Sequence, residues 1–256
     1  MTMMQKREVA ELYNTEAEVR CWSSDTPTAL SALEIDYIQH LCPWEDKLVG
    51  DIGAGAGRMP VILASAGAKV VALDLSANLM RALRRRADGA NQAIYEVSVG
   101  DAENLPLAMA SLDVVACLMT LELLPNPQRA VSEMRRVLKP NGLLILGANN
   151  RLSIGHLASV PSAIYRWAVG RRPIYRAYTA RELRRWLSEA GFVIRQVRGF
   201  GLLPPGVSIP LSRDRALPLY PRVVGRWALT LEVKHGLGGG ILGRFAKELI
   251  IVAQAP

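Results

Sequence analysis

Three alternate glycines follow an apolar run in the first quarter of the chain. The segment Val49–Arg58 reads VGDIGAGAGR, with Gly53, Gly55 and Gly57 after the apolar residues. Glycine lets the backbone turn sharply and approach a ligand closely. A second apolar run ends next to Asp74, where a carboxylate can accept hydrogen bonds from both hydroxyls of a ribose. Together these features predict a site for an adenosine-bearing cofactor.

Two common nucleotide-binding fingerprints fail at this loop. The NAD fingerprint requires G-x-G-x-x-G, but the sixth position counted from Gly53 is Arg58. A phosphate-binding loop would end in Gly-Lys followed by Ser or Thr, which this segment lacks. What remains is an acid, Asp51, two residues before G-x-G-x-G. An acid suits a cofactor that carries an ammonium group and no pyrophosphate.

The glycine loop and three later segments resemble, in order, the motifs of class I S-adenosylmethionine-dependent methyltransferases. The later segments are GDAENLP at 100–106, LDVV at 112–115 and MRRVLKPNG at 134–142. They are similar to the family's adenine-side loop, fourth strand and turn before the fifth strand, in the branch typified by the ubiquinone and menaquinone methyltransferases. The resemblance covers residues 10–150 and implies S-adenosylmethionine as cofactor, with S-adenosylhomocysteine as product.

The resemblance also implies a contact for each matching residue. Gly53 and Gly55 are expected at the amino-acid end of the cofactor, Asp74 at its ribose, and Asp101 with Ala102 at its adenine. Asp74 and Asp101 have a plainer interpretation as caps of a helix and a turn, although Ser76 already suits the helix position. The other positions implied to contact the cofactor are Tyr13 in the leading helix, Asp51, Ala54, Leu75 beside the adenine ring, and Leu118 beside the methionine moiety.

Two residues are candidates for catalysis. Many relatives carry histidine soon after the fourth strand, but this chain reads TLELL at 120–124, so Glu122 is one candidate and His156, in the presumed acceptor region, is the other. A cap or surface role for Glu122 and a structural role for His156 are the alternatives. The cofactor's methyl group is already activated, so aligning the acceptor is the main requirement. An acceptor of low pKa needs no base.

Positive charge is concentrated in two segments. The chain has 31 Lys and Arg against 23 Asp and Glu, a net charge of +8. Residues 150–178 contain five arginines and no acid, and residues 198–226 contain five arginines and one acid. These segments predict a cap that selects a small-molecule or lipid-like acceptor, apolar with an acidic or anionic group. The candidate acceptor-binding residues are Tyr165, Trp167, Arg171, Arg172, Tyr175 and Phe200.

Other interpretations of these segments and of the whole chain stay open. The arginines could serve solubility alone, or the cap could rest on anionic lipid to collect its acceptor. A nucleic-acid methyltransferase would suit the basic charge, but no Asn/Asp-Pro-Pro-aromatic motif, paired catalytic cysteines or RNA-binding module supports it. A protein that binds the cofactor without transferring a methyl group fits the same motifs. Nothing in the sequence indicates an oligomeric state.

Several features argue against a metal site, export and a membrane span. No secretory signal and no apolar run long enough to cross a bilayer is evident, which predicts a soluble, cytoplasmic protein. The three cysteines show neither a CxxC pair nor zinc-ligand spacing, so no metal is predicted. They are Cys21, Cys42 and Cys117.

The elements that must position these residues alternate between apolar and amphipathic stretches, which predicts βα units around a parallel sheet. The resemblance implies a Rossmann-like, doubly wound, mostly parallel seven-stranded sheet with helices on both faces and a substrate cap. We expect one domain over 1–256, a cofactor-binding core at 28–149, and cap segments at 150–178 and 198–236. Predicted strands are Lys47–Ile52, Lys69–Leu73, Ala93–Val99, Leu112–Leu118, Gly142–Gly147, Phe192–Val197 and Glu248–Gln254. Predicted helices are Arg58–Ala66, Ser76–Arg86, Pro127–Leu138, Thr179–Ala190 and a stretch to His235, which a turn at Gly236–Gly240 follows.

Overall fold

A seven-stranded sheet is the framework of the molecule in this computed structural model. Its strands are β1 (Leu48–Ile52), β2 (Lys69–Asp74), β3 (Glu96–Val99), β4 (Leu112–Leu118), β5 (Leu138–Asn149), β6 (Val193–Phe200) and β9 (Glu248–Gln254), while β7 (Ser208–Pro210) and β8 (Ala216–Pro218) form a separate antiparallel pair. The structure describes residues 3–16, 18–19, 29–92, 94–153, 156, 176–202, 208–210, 216–218, 221–235 and 237–256.

The strand order confirms the predicted doubly wound sheet. The order is β3-β2-β1-β4-β5-β9-β6. Every neighbouring pair is parallel except those that involve β9, which is antiparallel to both β5 and β6. The chain therefore reverses direction along the sheet between β1 and β4, the kind of switch point at which ligands bind in such folds.

Helices pack on both faces of the sheet. They are α1 (Met3–Tyr13), α2 (Ala29–Gln39), α3 (Arg58–Ser65), α4 (Ala77–Gly89), α5 (Pro127–Val137), α6 (Ala180–Glu189) and α7 (Arg222–His235). Successive side chains of a strand point to opposite faces, so Val114 joins the core cluster with α2 and α3 while Val115 joins the cluster with α5 and α6. Burial of β4 on both sides explains the continuous apolar run at 114–118.

Local signals fix the helix starts. Ser76 caps α4, since its hydroxyl oxygen accepts a hydrogen bond from the Leu79 amide at 3.1 Å. Thr179 and Glu182 form a reciprocal capping box at the start of α6. The cap of α4 is therefore Ser76, as predicted, and Asp74 remains available for another role.

Several element bounds differ from the prediction. β5 is longer at both ends than predicted, and β3 begins only at Glu96. β6 continues to Phe200 because β9 pairs with it up to Glu248, so the predicted second cap segment begins inside the sheet. Within the expected turn at 236–240, Leu237–Gly239 form a short 3-10 helix, and a second 3-10 helix follows at Ile241–Phe245. No helix in the described part of the chain combines the length and the apolar character that a membrane span would need.

Candidate functional site

A pocket opens at the carboxyl ends of β1, β2 and β4, with α1 forming one wall. Its floor and sides are mostly apolar, and its lining includes Lys6 from α1 and Thr120 from the turn after β4. It lies where the chain direction switches along the sheet. The residues implied to contact a cofactor that line this pocket are Tyr13, Gly53, Gly55, Asp74, Leu75, Asp101, Ala102 and Leu118.

The glycine loop between β1 and α3 needs its glycines for two reasons. Gly53, Gly55 and Gly57 all have positive φ, at 78°, 56° and 84°, a region that other residues rarely adopt. A Cβ atom on Gly53 would overlap the Thr120 side chain, whereas a Cβ on Gly55 would meet no atom within 4 Å. Gly55 thus borders open space, and the loop leaves room for a ligand against its backbone.

The carboxylate of Asp74 braces this loop from the end of β2. Its Oδ2 accepts a hydrogen bond from the Gly55 amide at 3.0 Å, and its Oδ1 accepts one from the Ser76 amide at 2.9 Å. Burial raises the pKa of Asp74, although these backbone donors oppose the rise. Each carboxylate oxygen can accept a second hydrogen bond, so Asp74 retains capacity for a pair of hydroxyls.

Lys6 closes the opposite side of the pocket and was not predicted from the sequence. Its Nζ lies 2.6 Å from Asp101 Oδ2 and 2.7 Å from Glu103 Oε2. Burial lowers the pKa of Lys6, but hydrogen bonds to the two carboxylates outweigh it and the pKa is raised. Asp101 Oδ1 also accepts a hydrogen bond from the Glu103 amide, so Asp101 is held in place on both oxygens.

Further hydrogen bonds fasten the end of α1 to the start of α4. Asn14 Oδ1 accepts hydrogen bonds from Ser76 Oγ at 2.8 Å and from the Asn78 amide at 3.1 Å. Asn78 Nδ2 donates to the Asn14 carbonyl at 2.6 Å. Tyr13 is buried just before this junction. The leading helix is thus a fixed wall of the pocket.

Asp51 and Ala54, also implied as cofactor contacts, do not line the pocket. Asp51 is buried on β1 beneath the glycine loop, where burial and the nearby Asp74 raise its pKa to about 7. Ala54 contributes its amide to the loop by donating to the Leu73 carbonyl at 3.0 Å. Asp51 thus lies behind the loop, whereas Ala54 is part of the loop without lining the pocket.

Glu122 does not lie on the surface, so the surface role that the sequence analysis allowed for it is wrong. It is fully buried in the short 3-10 helix Leu121–Leu123 and does not line the pocket. Its Oε1 accepts hydrogen bonds from the Asn149 amide at 2.5 Å and from Asn149 Nδ2 at 3.1 Å. Burial raises its pKa to about 7. Glu122 therefore braces the turn after β4 against the end of β5.

Of the remaining predicted site residues, the structure describes His156 and Phe200, and neither lines the pocket. His156 is exposed beyond β5, with its amide donating to Ser153 Oγ at 3.1 Å. Phe200 is a buried core residue of β6 whose ring lies 5.3 Å from that of Tyr37. The other five predicted acceptor-binding residues lie outside the described residues: Tyr165, Trp167, Arg171, Arg172 and Tyr175.

Comparison with known proteins agrees with the motifs and the fold. Residues 50–146 match the family described as Methyltransferase domain. The ubiquinone biosynthesis O-methyltransferase of Coxiella burnetii (strain RSA 493 / Nine Mile phase I) is 26% identical over 188 residues, which cover 72% of this chain and 80% of that protein. The protein of the same name from Xylella fastidiosa (strain 9a5c) is 29% identical over 180 residues, which cover 69% of this chain and 73% of that protein.

Solved structures show the same fold at low sequence identity. Magnesium protoporphyrin IX methyltransferase from Synechocystis PCC 6803, with bound SAH, has a TM-score of 0.66 and 16% identity, covering 98% of this chain and 100% of that chain. The [4+2]-cyclase SpnF also has a TM-score of 0.66, with 18% identity, and covers 98% of this chain and 96% of that chain. The fold is thus shared by proteins with different named reactions, and chemistry must be argued from the site.

Proposed function

Because this chain carries an S-adenosylmethionine-dependent methyltransferase domain, we propose that it methylates a small-molecule or lipid-like acceptor that is apolar and bears an acidic or anionic group. The observation that carries the proposal is the pocket at the ends of β1, β2 and β4, which is lined by the open face of Gly55 and by the carboxylates of Asp74 and Asp101. The relatives named ubiquinone biosynthesis O-methyltransferase support an acceptor of this class.

The residues of the pocket fit S-adenosylmethionine. Asp74 would accept hydrogen bonds from the ribose, Asp101 with Ala102 and Leu75 would hold the adenine, and the backbone of Gly53 and Gly55 would meet the amino-acid end. Tyr13 and Leu118 would complete the wall around the methionine moiety. Asp51, behind the loop, would lie near the ammonium group, whose positive charge favours the ionised form of this carboxyl group. When bound, the cofactor supplies an electrophilic methyl group.

The chain's own contribution to the reaction is orientation and the exclusion of water. Ile52, Leu79 and Leu123 make much of the pocket wall apolar, and α1 closes one side. Positioning two reactants in this way can supply a large part of a rate enhancement without proton transfer. Among the described residues that line the pocket, Asp74 and Asp101 are the only acids and none is histidine, which favours an acceptor of low pKa.

The division of labour within the chain is part of the proposal. Residues 28–149 would hold the cofactor, and the basic segments at 150–178 and 198–236 would select the acceptor. The second segment supplies α7 as well as the end of β6. His156 remains a candidate base, and a loss of more than about 100-fold in turnover on His156→Ala would give it that role.

Two measurements test the proposed function. Calorimetric titration with S-adenosylhomocysteine tests the cofactor site, and release of S-adenosylhomocysteine from S-adenosylmethionine is then followed with quinols, small phenolics, lipid extracts and transfer RNA. We expect product with a phenolic or quinol acceptor and none with RNA. Cofactor binding without transfer to any acceptor would favour a protein that, like the cyclase, uses this fold for another purpose. Absence of cofactor binding would overturn the proposal altogether.

A further inference from the structure

A second, larger concavity lies at the β6 edge of the sheet, away from the glycine loop. It has a volume of about 750 Å³ and is lined by residues of α6, β6 and the two short 3-10 helices that precede β9. Leu152, just beyond the end of β5, and Gly199, near the end of β6, both border it. The groove therefore opens at the same end of the sheet as the cofactor pocket.

Three exposed arginines line this groove without a counter-charge. Arg181 and Arg184 come from α6, and Arg244 comes from the 3-10 helix Ile241–Phe245. None of the three forms an ion pair within the part of the chain that the structure describes, and no described acid lines the groove. The nearest acids on α6 are committed elsewhere, since Glu182 pairs with Arg151 and Glu189 with Arg185. The groove thus presents net positive charge.

Large exposed apolar side chains lie next to Arg244 in the chain. Ile241, Leu242 and Phe245 are 74%, 54% and 44% exposed, on the same short helix as Arg244. Single exposed apolar residues are ordinary on protein surfaces, but a group of them beside unpaired cations marks an interaction surface. We call the set Arg181, Arg184, Ile241, Leu242, Arg244 and Phe245 the basic-apolar face.

The basic-apolar face is held on a braced segment. The Asn150 side chain is buried, and its Nδ2 donates to the carbonyls of Arg244 at 2.7 Å and Ala246 at 2.8 Å. Gly199, Gly238 and Gly243 pack so closely that a Cβ on any of them would overlap a backbone carbonyl of another. The apolar side chains therefore project from a firmly seated backbone into solvent, and their exposure is not a result of loose packing.

We infer that the basic-apolar face docks this protein on a bilayer that contains anionic lipid. Arginine forks bind phosphate oxygens, and large apolar side chains enter the boundary between head groups and acyl chains. An anionic bilayer is the partner that satisfies both kinds of side chain in one plane, because it supplies phosphates above hydrocarbon. Docking would also bring the mouth of the cofactor pocket to the membrane side. The inference does not rest on the proposed function, since vesicle binding requires no methyl transfer.

The test is co-sedimentation of the full chain with vesicles of phosphatidylcholine alone or with about a third phosphatidylglycerol, at low and moderate salt. We expect binding to the anionic vesicles that weakens with salt. Arg181→Gln combined with Arg184→Gln should lower the partition coefficient about 25-fold, because each arginine at an anionic surface contributes about fivefold to binding. Ile241→Ser combined with Phe245→Ser should lower it about tenfold or more. A circular dichroism melt checks that each variant is folded.

The matched control removes the same charge elsewhere. Arg81→Gln combined with Arg85→Gln changes two exposed arginines on α4, which packs beside β2 and β3 at the opposite edge of the sheet. This double variant should bind vesicles like the parent. An equal loss in both arginine pairs would reduce the effect to net charge and overturn the inference. Failure of the parent to bind anionic vesicles would also overturn the inference. If such a parent is retained on immobilised polyglutamate, the groove is assigned to an acidic protein instead.

Discussion

At the scale of single residues, the carboxylate of Asp74 serves both the loop and the proposed ligand. We expect Asp74→Ala to weaken S-adenosylhomocysteine binding by about 1.5 to 3 kcal/mol, the range for lost charge-assisted hydrogen bonds. It should also lower the free energy of unfolding, because the amides of Gly55 and Ser76 lose their acceptor. Titration calorimetry and urea unfolding measure the two effects. Asp88→Ala, at an exposed acid of α4, is the control, and parental affinity in Asp74→Ala would reduce Asp74 to a brace.

The buried Asp51 predicts a pH dependence of stability. Its pKa is raised to about 7 by burial and by Asp74, so the folded chain holds a proton that the unfolded chain releases near its ordinary pKa of about 4. The free energy of unfolding should therefore fall as pH rises between these values. Asp51→Asn removes this penalty and should be more stable than the parent at pH 8 by about 1 to 3 kcal/mol, with little difference near pH 4.

Urea unfolding at several pH values measures this effect, and Asp113→Asn is a control of opposite sign. Burial acts to raise the pKa of Asp113, but hydrogen bonds from Lys139 and the Leu48 amide outweigh it and the pKa is lowered. The charge of Asp113 therefore stabilises the fold at neutral pH, and Asp113→Asn should be less stable there. Glu122 has its pKa raised to about 7 as well, so Asp51→Asn should flatten only part of the parent's profile. A variant as pH-dependent as the parent would contradict the assignment to Asp51.

Lys6 predicts a kinetic effect on the cofactor. It is 21% exposed and joins α1 to Asp101 and Glu103, whereas Arg7 is 82% exposed and pairs with Glu11 of the same helix. Lys6→Met should speed dissociation of S-adenosylhomocysteine about 5- to 20-fold, since a partly buried ion pair to two acids is lost. Arg7→Met removes the same charge and should leave the rate unchanged. Stopped-flow displacement measures both, and equal rates in the two variants would contradict a closing role for Lys6.

Some of these residues could be predicted from the sequence and others could not, for a physical reason. The glycines and Asp74 stand in a short local pattern that dictates both backbone conformation and position at a strand end. Lys6 and its partner Asp101 are 95 residues apart, and Glu122 and Asn149 are 27 apart. Such contacts depend on how helices and strands are placed in three dimensions. No spacing rule in the chain indicates them.

At the scale of elements, the close contacts between Gly199 of β6 and the segment before β9 predict a large effect of substitution on stability. A Cβ on Gly199 would overlap the Gly243 carbonyl and the Ala246 side chain. Gly199→Ala should therefore lower the free energy of unfolding by about 2 kcal/mol or more, because the backbone must move apart. Gly89→Ala, where a Cβ meets no atom within 4 Å, should be neutral or stabilising by up to about 1 kcal/mol. Urea unfolding compares them, and equal stabilities would contradict the packing.

The βα elements could be predicted more fully than the elements after residue 190. Strands β1, β2, β4 and the helices between them follow from apolar periodicity and capping signals, which are local. The antiparallel insertion of β9 between β5 and β6 is a tertiary event, and it determines where β6 ends. The same pairing places Phe200 in the core, whereas the sequence pattern predicts that Phe200 binds the acceptor.

At the scale of the whole molecule, positive charge and cofactor site are separated along the chain. The segments 150–178 and 198–226 together carry more positive charge than the net +8 of the chain, so the remainder is close to neutral. The pocket itself balances Lys6 against Asp74 and Asp101. Changes in the basic segments should therefore alter acceptor or surface binding while leaving the affinity for the cofactor intact.

Arg171 and Arg172, which lie outside the described residues, allow this separation to be tested. Changing both to glutamine should raise the KM for an anionic acceptor about tenfold, since each charge-assisted hydrogen bond contributes about 1 kcal/mol or more. The affinity for S-adenosylhomocysteine should stay within about twofold, because neither arginine is among the residues proposed to hold the cofactor. The double change Arg81→Gln with Arg85→Gln removes the same charge from α4 and should alter neither value. If the acceptor KM is unchanged at low and moderate salt alike, these two arginines contribute to solubility and recognition of the acceptor must come from other residues.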